Sequence, residues 1–176
     1  MRKRQSAKRK KSKKQEQAQK LTVDIQDIKY ETEAVEEHAN VLFKPNPGPQ
    51  TDFLAASERE VLYGGSAGGG KSYAMLADPL RYMGHPQFSG LLLRHTTEEL
   101  RELIFKSQEL YPKIWPGIKW SERKMQWTAP SGARLWMSYL DRDEDVLRYQ
   151  GLAFSWIGFD ELTQWGSPYA WNYMRS

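Results

Sequence analysis

The chain has no cysteine, which excludes disulfides and thiolate metal sites and suits a reducing compartment. Histidine is nearly as scarce. His38, His85 and His95 show no metal-ligand spacing, and no Ser-His-Asp arrangement can be argued from them. Long apolar runs are missing as well: none reaches the roughly 18 residues of a membrane span, and the basic N-terminus lacks the apolar centre of a signal peptide. A soluble intracellular chain is expected. Its 176 residues amount to one domain, enough for a sizeable core.

Residues 1–20 lack almost all apolar character and almost all acid. They hold ten of the 26 Lys/Arg and one of the 22 Asp/Glu, so sixteen bases face 21 acids in the remainder. The overall charge of +4 therefore joins a strongly basic tail to a mildly acidic body. A tail with so little to bury cannot offset its ordering entropy and is expected to be disordered. It either solubilises the chain or contacts nucleic-acid phosphates without sequence preference. Residues 21–42 form an acidic lead-in, and the body, 43–176, opens with the proline-rich KPNPGPQ (Lys44 to Gln50).

Short apolar runs then alternate with helical stretches. Glu60 to Tyr63 reads as a strand and Lys71 to Met83 as a helix. Gly90 to Arg94 (GLLLR) has the unbroken apolar character of a buried parallel strand. Thr96 and Glu99 fit a capping box, opening a helix with Leu100, Leu103, Ile104, Ser107 and Leu110 near one face and closed by Pro112 and Pro116. KMQWT and ARLWMSYL, joined by APSG, read as a β-hairpin. FSWIGFDE (Phe154 to Glu161) is a last strand, and Ser167-Pro168 starts a final helix. Strands alternating with helices imply a largely parallel sheet covered on both faces. The tryptophans, Trp127, Trp136 and Trp156 among them, read as packing rather than base-stacking residues.

The stretch Gly65-Ser66-Ala67-Gly68-Gly69-Gly70-Lys71-Ser72 fits G-x-x-x-x-G-K-[ST]. Residues without a β-carbon let the backbone wrap a phosphate, with successive N–H groups turned inward as an anion nest. The following helix adds the positive end of its dipole. Lys71 can reach the β and γ phosphates of ATP, and the Ser72 hydroxyl can hold Mg²⁺. Such a loop needs an acid on a neighbouring strand. Asp160, ending the last apolar run, is the expected Mg²⁺ ligand. Glu161, one residue on, is the expected general base that polarises an attacking water.

GGSAGGGKS, PGPQTDFL before it, LLLRHTTEELRE after it, and RYQGLAFSWIGFDELTQW together resemble the N-terminal ATPase of bacteriophage terminase large subunits, from about Phe43 to Arg175. The resemblance implies a motor that drives double-stranded DNA into a procapsid in the cytoplasm of an infected bacterium. It also implies portal protein and small terminase subunit as partners, and a homo-oligomeric ring. The fold it implies is α/β, a P-loop NTPase three-layer sandwich of the ASCE type with a largely parallel sheet, incomplete at the C-terminus. It makes Gln50, fifteen positions before Gly65, the adenine reader, against the alternative that Gln50 only satisfies the proline-rich loop. Arg94 and Arg148 become candidates for stabilising γ-phosphate charge, against the alternative of ordinary salt bridges. Terminases continue into a nuclease, whereas this sequence stops fifteen residues after Glu161, so it reads as the amino-terminal piece of a larger protein. The alternatives are another P-loop ATPase, helicase-like in kind, or a nucleotide-binding fragment without turnover.

Overall fold

The structure, a computed structural model, describes residues 43–65 and 68–175. The basic tail, the acidic lead-in, Ser66 and Ala67 lie outside the described residues. The helices are α1 (Pro49–Ala55), α2 (Lys71–Ala77), α3 (Thr97–Ile114) and α4 (Tyr169–Arg175). The strands are β1 (Ser89–Arg94), β2 (Lys119–Ser121), β3 (Gln126–Thr128), β4 (Arg134–Tyr139) and β5 (Trp156–Phe159). Short 3₁₀ segments cover Asp78–Tyr82, Asp143–Tyr149 and Leu162–Gln164.

β1 lies inside the sheet, between β4 and β5, because its sequence can be buried on both sides. Leu91, Leu92 and Leu93 are all fully buried, each worth about 1.5–3 kcal/mol relative to exposure. Their alternation divides two cores. Leu92, with Leu135 and Met137 of β4, packs under α2 and α3 against Leu76, Leu103 and Tyr111. Leu91 and Leu93 face the other way, with Phe159 of β5, Val146, Trp165 and Ala170 of α4. β1 pairs in parallel with β4 on one side and β5 on the other.

The rest of the sheet departs from the expected fold class. β4 pairs antiparallel with β3, and β3 antiparallel with β2, giving the order β2-β3-β4-β1-β5. A small mixed sheet of five strands, half of its junctions antiparallel, is not the largely parallel P-loop three-layer sandwich that the motifs imply. The hairpin itself is as expected, with Gly132 at φ 98 in its turn. The additional β2, only three residues long, extends it outward.

The predicted strand at Glu60 to Tyr63 is not formed either: the segment is irregular, and Leu62 is 81% exposed. Three apolar residues between the charged Glu58-Arg59-Glu60 and the pair Gly64-Gly65 have little to bury. The helix predicted from Lys71 to Met83 ends as an α-helix at Ala77 and tightens into the 3₁₀ turn 78–82, because Pro79 cannot donate to an α-helical bond. α3 begins as expected, with the Thr96 hydroxyl accepting from the Glu99 N–H at 3.3 Å. It then runs through Pro112 to Ile114 rather than closing at the proline. At its far end Tyr111 donates to the Leu76 carbonyl at 2.9 Å, and Trp115 Nε1 to the Leu80 carbonyl at 3.1 Å.

Candidate phosphate-loop and carboxylate site

These paired contacts set the direction of α2. Advancing from Tyr111 to Trp115 along α3 advances from Leu76 to Leu80, so α2 and its 3₁₀ extension run the same way as α3. The same offset sets the start of α2 level with the middle of α3, where Lys106 Nζ lies 5.9 Å from the centroid of the Tyr73 ring. β5 gives a second reading of the same direction. Trp156, at its start, donates to Asp78 at 2.7 Å, and a β-carbon on Gly158 would lie 2.6 Å from Met75 Sδ. α2 is therefore antiparallel to β5. From Met75 back to Lys71 is about 6 Å of helix, and from Gly158 on to Asp160 about 6–7 Å of strand. By these rises of about 6 Å each, the Lys71 end of α2 is turned toward the Asp160 end of β5.

The described part of the loop is shaped for close backbone approach. Gly68 and Gly70 lie at φ 82 and 76, Gly70 being the left-handed residue from which α2 starts. A β-carbon there would also sit 2.6 Å from Gln50 Nε2. Lys71 Nζ donates to the Gly65 carbonyl at 3.0 Å, and Tyr63 donates its hydroxyl proton to the Gly69 carbonyl at 2.7 Å. Gln50 is 4% exposed, with Nε2 donating to the Gly70 carbonyl at 2.8 Å and Oε1 accepting from the Asn46 N–H at 2.6 Å. Its amide thus braces the loop from below. An adenine edge would meet a side chain whose acceptor and one donor hydrogen are already engaged.

Asp160 is 3% exposed and follows directly on β5. Its Oδ2 accepts from Arg94 Nε at 2.9 Å and Nη2 at 2.7 Å, and its Oδ1 accepts from the Glu161 N–H at 3.1 Å. Arg94, 6% exposed and last in β1, is therefore held in a buried ion pair, with Glu99 Oε2 3.9 Å from its Nη1. Glu161 adopts φ 54, ψ 47, a left-handed conformation that costs a non-glycine residue about 1 kcal/mol or more and clusters at functional sites. Arg148 lies on the same edge: Nη2 donates to the Tyr139 carbonyl at 2.7 Å and Nε to the Asp145 carbonyl at 3.1 Å. Tyr139 is the register partner of Arg94, so Arg148 is fixed at the end of the neighbouring strand, half-exposed.

The donors suit Mg²⁺ in type. The Asp160 carboxylate and Ser72 hydroxyl are hard oxygens, and Mg²⁺ commonly takes only one or two protein ligands beside phosphate and water. Among the described residues no group of three or more His, Cys, Asp or Glu could hold a metal unaided. An ion here would be shared with the phosphates of a bound nucleotide.

Sequence reasoning missed two features. One is the Arg94–Asp160 pair, whose partners are 66 residues apart. The other is the turn of the Glu99 carboxylate toward Arg94, signalled only by its place one helical turn beyond β1. His95 packs edge-on to Trp165, ring centroids 5.7 Å apart. Comparison of the chain with protein families, curated proteins and solved structures finds no match.

Proposed function

We propose that the chain binds and hydrolyses ATP, as the motor portion of a terminase large subunit that packages double-stranded DNA. What supports the reading is the packing of α2 and its extension on β5 through Met75 at Gly158 and Asp78 at Trp156, which turns the Lys71 end of the helix toward the Asp160 end of the strand. In this reading the Lys71 ammonium meets the β and γ phosphates. Ser72 and Asp160 hold Mg²⁺, which would supply charge neutralisation of the phosphates. Glu161 takes a proton from the attacking water, its backbone fixed by the bond from its N–H to Asp160 Oδ1. In the same reading Arg148, anchored on two carbonyls and half-exposed, meets γ-phosphate charge in its own subunit or a neighbour's.

Double-stranded DNA, a portal protein, a small terminase subunit, a ring of copies and the cytoplasm of an infected bacterium belong to the same proposal and rest on the motif resemblance. Among the described residues no helix is long and apolar enough to cross a membrane. The Arg94–Asp160 pair favours one competing reading, nucleotide binding without turnover, because a guanidinium already engages the metal-ligating carboxylate. Glu161→Gln distinguishes the two. It keeps side-chain size and hydrogen bonding but cannot accept the proton. Under the hydrolytic reading ATP affinity holds while phosphate release falls by roughly 10²–10⁴-fold. No phosphate release from the unaltered protein, with nucleotide binding intact, would establish the binding-only reading.

A further inference from the structure

Arg94 lies between two carboxylates that it serves unequally. Both its Nε and Nη2 point at Asp160 Oδ2, within 2.9 Å, while Nη1 stands 3.9 Å from Glu99 Oε2. That one Glu99 oxygen is buried and has no hydrogen-bond partner, on a side chain that is otherwise 29% exposed. The helix start does not explain it. Thr96 caps the Glu99 N–H, yet the Glu99 side chain is turned to Arg94 instead of completing the reciprocal half of the capping box. The other acid in reach of Arg94's field, Glu102, is already bound by Lys106 at 2.6 Å.

We propose that Glu99 is the second seat of Arg94: when a cation brought by a nucleotide takes up Asp160, the guanidinium moves to Glu99. The inference rests on the nucleotide–Mg²⁺ reading of this edge. A carboxylate oxygen offers about two acceptor sites, and Arg94 fills both on Oδ2. A divalent cation at Asp160 competes for those sites and repels the guanidinium. Left buried without a partner, the displaced arginine would oppose metal binding. Closing from 3.9 Å to the 2.7–2.9 Å of a charge-assisted bond takes about 1 Å, within reach of a side-chain rotation. Glu99 is thus a positioning residue: it touches neither nucleotide nor metal and sets how readily Asp160 is released.

The test uses Mn²⁺ with saturating ADP on the full chain, following the loss of the free Mn²⁺ electron-paramagnetic-resonance signal, and compares wild type, Glu99→Gln, Glu98→Gln, Arg94→Gln and Arg94→Gln/Glu99→Gln. Glu99→Gln should weaken Mn²⁺ uptake by about tenfold or more, with ADP affinity in chelator unchanged. Glu98→Gln, the same charge change at an exposed neighbour, should leave uptake as it was. Without Arg94 there is nothing to reseat, so Glu99→Gln should have no added effect. Wild-type uptake by Glu99→Gln overturns the proposal, as does an equal loss in Glu98→Gln or an equal loss with and without Arg94. Should the Arg94 variants not fold, the Glu99 and Glu98 comparison decides alone. If the wild type binds ADP but shows no ADP-dependent Mn²⁺ uptake, the seat proposal falls and ATP binding stands. If it binds neither, both fall.

Discussion

Asp160→Asn should destabilise the fold before it says anything about metal. The substitution keeps the shape of the side chain but leaves Arg94, 6% exposed, without its partner at 2.7 Å. Removing one member of a buried pair costs about 3–5 kcal/mol. Glu99 Oε2 at 3.9 Å remains to receive the guanidinium, which places Asp160→Asn near about 3 kcal/mol, at the lower end. Arg94→Met leaves the Asp160 carboxylate with the Glu161 N–H and no cation, which places it near about 5 kcal/mol. Replacing both, as Arg94→Met/Asp160→Leu, should restore most of the loss, because the hydrophobic pair needs no compensation. Urea unfolding followed by circular dichroism measures all three. With a slope of about 1.5–2 kcal/mol per molar, the Asp160→Asn midpoint should fall by about 1.5–2 M. If Asp160→Asn unfolds within about 0.3 M of wild type, the pair is not a stabilising contact and the argument from burial is wrong.

Gly70→Ala should cost about 1–2 kcal/mol for a β-carbon at φ 76, and should also push Gln50 off the loop, since that carbon would sit 2.6 Å from its Nε2. An unchanged melting temperature would show that the loop is not built as described. Burial pushes the Tyr111 phenol far above its ordinary range. A raised folded value means that its contribution is complete below the unfolded pKa of about 10 and is lost as pH climbs beyond it. Stability should fall with pH above about 10, with phenolate absorbance from Tyr111 appearing only on unfolding. The same alkaline slope in Tyr111→Phe would contradict this.

What was legible in the sequence was local. GLLLR announces a strand buried on two faces, Thr96 a helix start, and APSG a hairpin, because each signal and its structural consequence lie within a few residues. The sheet order was not legible, since nothing in KWS states that it will extend the hairpin antiparallel and leave the sheet mixed. The strand expected at Glu60 to Tyr63 has only three apolar residues of its own, and the segment is irregular with Leu62 exposed. Pro112 forfeits one bond of the last turn, yet the helix runs on because Tyr111 and Trp115 fix its end by bonds to a neighbouring segment. At the site, the residue types were visible in the sequence but not their present partners. Arg94 and Asp160 find one another only through the β1–β5 pairing, and Gln50 reaches Gly70 only because α1 packs under the loop.

The central claim, that the glycine loop and Asp160 form one nucleotide site, is tested most directly by calorimetric titration of the wild type and Lys71→Ala with ATP, with and without Mg²⁺. The account predicts Mg²⁺-enhanced binding to the wild type and loss of binding in Lys71→Ala at an unchanged circular-dichroism spectrum. Equal ATP affinity in the two proteins would contradict it.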